Sequence, residues 1–124
     1  MIEKRISDCI NLLKVQYKYI YHCDFIEHVE DPEVFILLCK NRIDNIQGIE
    51  KYLLIKANHL TLEELSKLIK FYENFILDKC NGKYRIAQLV LCSPEELNPS
   101  VKSHIDIYNE SFKDTRPAIV YLKV

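Results

Sequence analysis

The chain has 124 residues, 48% of them hydrophobic and 28% charged, the balance of one globular domain spanning 1–124 rather than of a disordered or fibrous chain. Seventeen basic residues against eighteen acidic ones give a net charge of −1, which excludes the strongly basic profile of a dedicated nucleic-acid binder. Only Gly48 and Gly82 are glycines, which excludes a Gly-rich phosphate loop, and no apolar run approaches the ~18 residues of a membrane helix.

The first residues, Met1-Ile2-Glu3-Lys4-Arg5-Ile6, lack the apolar core of a secretory signal, so a cytoplasmic location is expected. Cys9, Cys23, Cys39, Cys80 and Cys92 form no CxxC pair and none stands at zinc-finger spacing from a histidine. They are expected to be free thiols acting as small hydrophobes. One disulfide would fit a hyperthermophilic source.

In chain order, Ile2, Ile6, Cys9, Ile10, Leu13 and Tyr17 recur at three- and four-residue steps and predict a packing helix over 2–17. The period then changes to two. Tyr17, Tyr19, Tyr21, Cys23 and Phe25 alternate with Lys18, Ile20, His22 and Asp24, the pattern of a strand with one buried face. Residues 27–33 read as a polar turn around Pro32, and 34–39 as a second strand. A connection over 40–50 leads into 51–57, a continuous apolar run read as the central strand, buried on both faces. That connection is too short for a helical crossover, so the strands over 34–39 and 51–57 should be antiparallel.

Thr61-Leu62-Glu63-Glu64 is a capping box, and Leu62, Leu65, Leu68, Ile69, Tyr72, Phe75 and Ile76 carry a helical stripe to about Lys79, with Asn81-Gly82 as its stop. The strand over 84–92 follows, so 51–57, the helix and 84–92 form a βαβ unit with parallel strands. Ser93-Pro94-Glu95-Glu96 reads as a second cap, with the helix restarting at Asn98-Pro99 and running to about Phe112. A last strand occupies 117–124. The fold class is therefore α/β: a three-layer single domain with a mixed central sheet, in the order α-β-β-β-α-β-α-β.

That order resembles the core of the restriction-endonuclease-like, PD-(D/E)xK fold. In that family an Asp opens the second strand, often after a Pro, and a (D/E)-x-K triplet lies on the third. The carboxylates hold Mg²⁺ and the lysine activates or orients water. By this resemblance Pro32-Glu33 stands at the opening of the second strand and Leu54-Ile55-Lys56 on the third. Glu33 takes the place of the Asp and Lys56 matches the Lys, while Leu54 falls where the second acid belongs. The motif is degenerate, because a hard divalent cation needs several oxygen ligands. Glu33, Asp44 and Glu63 are the candidates for such ligands, and Mg²⁺ is expected only if the site is active; Glu64 is already explained as a cap.

The resemblance implies a nucleic-acid-associated protein with a degenerate nuclease site, Glu33 and Lys56 being its catalytic remnant. Lys4, Arg5, Lys14, Lys18 and Lys56 would contact DNA or RNA phosphates. A non-catalytic interaction module is the first alternative. It could be homodimeric through Val120, Leu122 and Val124 of the last strand, and the near-neutral charge fits it best. An active metal-dependent endonuclease is the second. His22, His28, His59 and His104 are scattered over separate elements and suggest no metal site.

Overall fold

A computed structural model describes residues 4–16, 20–41, 50–57, 60–80 and 85–124. The elements follow the expected order: α1 (Lys4–Gln16), β1 (Ile20–Glu30), β2 (Glu33–Asn41), β3 (Glu50–Lys56), α2 (Leu62–Lys79), β4 (Arg85–Ser93), α3 (Pro99–Ser111) and β5 (Val120–Lys123). The five strands lie in chain order across one sheet. β1, β2 and β3 are antiparallel neighbours, β4 is parallel to β3, and β5 is parallel to β4. The parallel pairing of β3 and β4 follows from the helix between them, since a parallel return needs a crossover.

The sheet separates two cores. Ile6, Cys9, Ile10 and Leu13 of α1 are buried against Leu53, Ile55, Val90 and Cys92 on one face. Leu65, Leu68 and Tyr72 of α2, with Val101 and Ile105 of α3, are buried against Ile36, Leu54, Leu89 and Leu91 on the other. Alternation in β3 decides the division: odd positions face α1 and even positions face α2 and α3. With both faces covered, β3 and β4 read as near-continuous apolar runs.

Thr61 is extended (φ −85°, ψ 166°) and caps α2. Its hydroxyl accepts from the Glu64 amide at 3.2 Å, and its own amide donates to Glu64 Oε1 at 3.2 Å. Replacing Thr61 by Ala leaves an N-terminal amide unsatisfied. It should cost about 1 kcal/mol, read as a lower urea midpoint, whereas Thr61→Ser should cost much less.

Four expectations need correction. The polar turn is shorter than 27–33. β1 continues to Glu30, paired with Glu33, and only Asp31-Pro32, joined by a cis peptide, makes the turn. The strand over 17–25 does not bury the whole of its alternating set, for Phe25 is 45% exposed in an edge strand with two register shifts. No helix starts at Ser93, whose hydroxyl accepts from the Glu95 amide at 3.2 Å in a local turn. A residue before proline avoids the helical region, so Asn98, at ψ 133°, blocks a helix from running through to Pro99. Asn98 itself caps α3, accepting from the Ser100 amide at 2.9 Å. Finally, Cys23 and Cys39 are disulfide-bonded and stand opposite each other in the β1–β2 ladder. Cys9, Cys80 and Cys92 are free, as expected.

β5 has only four residues, and side chains tether its approach. Asn109 of α3 brackets Ile119, donating to its carbonyl at 3.1 Å and accepting from its amide at 2.8 Å. Gln88 donates to the Ala118 carbonyl at 2.7 Å. Arg116 donates to both Glu73 (2.7 Å) and the Tyr108 hydroxyl (2.6 Å), which ties α2 and α3 to this segment. Burial pushes the Tyr108 hydroxyl's pKa up despite the guanidinium beside it. No helix among the described residues is long and apolar enough to cross a membrane.

Candidate functional site

Lys56 ends β3 and is only 6% exposed, the one buried charged side chain among the described residues. It sits at an even position, so it shares a face with Leu54 and points toward α2. A cleft of about 200 Å³ opens there, at the ends of β2 and β3 beside the first turns of α2. Lys56 lines it together with Glu30, Asp31, Glu33, Glu64 and Lys67. The two residues singled out in the sequence, Glu33 and Lys56, are thus brought to one cleft. Glu30 and Asp31 were read only as turn residues, and Lys67 was not singled out. The βαβ rule could have found Glu64 and Lys67, since it sets the start of the crossover helix over the end of the strand it leaves.

The register qualifies that convergence. Phe35 pairs with Ile55 and Ile36 with Leu54, and one step further Val34 stands beside Lys56. The lysine's face of β2 and β3 therefore carries Val34, Ile36 and Leu54, all buried and apolar. Glu33 is one residue out of phase with it. Its carboxylate turns toward the other face, 3.6 Å from His28 Nε2. His28 in turn stacks on Phe35, with ring centroids 4.2 Å apart.

The described residues do not fit a Mg²⁺ cage. Leu54 is apolar and fully buried where the second acid would stand. One oxygen of Glu64 is committed to Thr61 as the cap, accepting from its hydroxyl at 3.0 Å as well as from its amide. Glu63 is exposed on the first turn of α2 and does not line the cleft. Asp44 lies outside the described residues. Among those described, no three His, Cys, Asp or Glu side chains are grouped as a metal site.

The expected phosphate contacts are divided as well. Lys4 and Lys14 are exposed on α1, which covers the opposite face of the sheet from the one Lys56 points to. Arg5 is also on α1, and Lys18 lies outside the described residues. With the Glu33 carboxylate turned away, the cleft still holds the carboxylates of Glu30, Asp31 and Glu64 against Lys56 and Lys67, a balance that does not favour an anionic backbone.

No family model matches the chain, and no curated protein matches it. A solved structure of EndoMS in apo form aligns with all of this chain at 13% identity and a TM-score of 0.49. The chain spans 48% of that structure's length. Likeness at this level fixes neither a shared fold nor a shared chemistry.

Proposed function

We propose that the chain is a non-catalytic, nucleic-acid-associated protein whose fold resembles the restriction-endonuclease-like one in element order and strand pairing. The observation that supports the non-catalytic reading is the register of β2 on β3, which sets Val34, Ile36 and Leu54 on the face of Lys56. A two-carboxylate metal site has no place there without burying charge in an apolar core. Nucleic acid meets the outer face of α1, where Lys4 and Lys14 stand away from the acidic cleft. With so few cations the affinity is weak and its salt dependence shallow, because the slope grows with the number of neutralised phosphates that release counterions.

Fluorescence anisotropy with labelled single- and double-stranded DNA and RNA tests this, with each probe checked on a gel for cutting. Binding should fall as salt rises, and no probe should be cut in Mg²⁺ or Mn²⁺. Lys4→Ala with Lys14→Ala should lower the slope of log affinity against log salt by roughly two, about one per phosphate contact. Lys56→Ala should leave affinity unchanged. Cutting that stops with EDTA would restore the active-nuclease reading. Affinity lost in Lys56→Ala but kept in the α1 variants would move the contact into the cleft. No binding to any probe would leave the interaction-module reading in its place.

A further inference from the structure

β1 is the longest strand and lies at the edge of the sheet. One side of its backbone pairs with β2, and among the described residues no strand pairs with the other side. An open edge of eleven residues is a template for another strand unless something blunts it. Phe25 and Ile26, at the middle of this edge, are 45% and 52% exposed. The disulfide joins Cys23 to its register partner Cys39, so β1 is held against β2 before anything binds. Such preorganisation lowers the entropic cost of adding a strand.

A groove runs beside this edge on the α2 side. α2 packs over β4 and against α3, and among the described residues a gap remains between it and β1. The gap, about 550 Å³, has Val29 and Ile36 as its floor and Phe71 and Phe75 as its wall. Its rim carries Glu27 on β1, and Asp78 and Lys79 on α2, which lie 3.7 Å from each other and leave Glu27 as the excess charge. The acidity continues along the chain. Residues 22–33 carry Asp24, Glu27, Glu30, Asp31 and Glu33 and no Lys or Arg.

Charge selects the occupant. A second copy pairing through β1 would set these carboxylates against each other, and like charges across a strand pair are destabilising. An extended segment with cationic side chains would meet the opposite sign. We propose that the free edge of β1 takes a basic, alternating segment of a partner protein as a sixth strand. Main-chain hydrogen bonds supply its affinity, and the groove reads alternate side chains. Glu27 and Val29 are two apart and face the groove. Adjacent groove-facing positions of the segment are therefore one Lys or Arg beside Glu27 and one apolar side chain over Val29, Phe71 and Phe75. This stands apart from nucleic-acid binding, which uses α1, and either can fail without the other.

The probe is a labelled peptide of about eight residues, the length of an ordinary strand, whose every second position, set toward the groove, is Lys and Val in turn, the positions between being Thr. The controls are its Glu/Val counterpart and a peptide of the same composition with the lysines in one block. Titrated into the full chain and followed by anisotropy, the alternating basic peptide should bind and weaken with salt, and both controls should bind far less. Glu27→Lys should weaken binding about tenfold without lowering the melting temperature, since this side chain is exposed. Phe75→Ala should also weaken it, and β1 amides should gain hydrogen-exchange protection on binding. Equal affinity for either control, affinity untouched by the charge reversal, binding without protection of β1, or no binding would each overturn the proposal. So would a chain that dimerises through β1, seen by light scattering and abolished by Ile26→Lys.

Discussion

Leu54→Glu, which completes the acidic triplet in sequence, should destabilise the protein by about 4 kcal/mol or more and yield no nuclease. Leu54 is fully buried among Ile36, Leu65, Leu68 and Leu89. Removing a buried leucine costs about 3–5 kcal/mol in lost contacts and cavity, and the new carboxylate adds the cost of desolvation. Lys56 lies on the same face but two residues away, so pairing with it recovers only part of that cost. The melting temperature should fall by roughly 15 °C or more. The penalty should be smallest at acid pH, where the carboxyl is neutral in both states, and should grow as pH rises. Circular dichroism melts across pH, with a cleavage gel in Mg²⁺, decide it. A folded Leu54→Glu protein that cuts DNA would mean that Leu54 occupies a site rather than a core.

Tyr72 is the second position of large effect. It is fully buried between α2 and the sheet, and its hydroxyl donates to the Ala87 carbonyl of β4 at 2.8 Å. Tyr72→Ala should cost about 3–5 kcal/mol and Tyr72→Phe about 1–2 kcal/mol, since the ring carries most of the burial and the hydroxyl one hydrogen bond. The hydroxyl also sets an alkaline limit. Burial, aided by the neighbouring Tyr108, holds its pKa well above the ordinary tyrosine range. Below about pH 10 both folded and unfolded states keep the proton and stability is whole. Above it the unfolded state ionises first, so stability falls as pH rises, by up to about 1.4 kcal/mol per pH unit. Tyr72→Phe should remove this share of the slope. Urea midpoints from pH 9 to 12 measure it, and an unchanged slope would show that other groups govern the loss. Tyr108 and Tyr121, both raised by burial, add in the same window. The Cys9 thiol, raised by its hydrogen bond with Cys92 and by burial, opens that window from below.

Much of the architecture was legible in short stretches of chain. The α1 and α2 stripes, the Thr61–Glu64 box and the stop near Lys79 depend on residues within a turn or two of each other. The antiparallel and parallel pairings of β3 followed from connection lengths alone. The misread turn and the misread cysteines share a cause, which is that the deciding contact came from outside the local pattern. The strand continued through the polar residues 27–30 because β2 pairs with them. At Ser93 the local pattern itself misled: the hydroxyl closes a turn on Glu95, and the restart at Asn98-Pro99 is the start of α3.

The sequence by itself determined the α/β class, the element order and the mixed sheet. Each follows from periodicity, capping or the reach of a connection. Only the tertiary structure decided which face each residue occupies. A strand's side chains alternate, so a one-residue difference in register moves a carboxylate from one side of the sheet to the other. That step separates Glu33 from Lys56, places Val34 and Leu54 in the core, and puts the α1 cations on the far face from the cleft. The Cys23–Cys39 bond belongs to the same class, for it joins two residues that only the β1–β2 ladder makes neighbours.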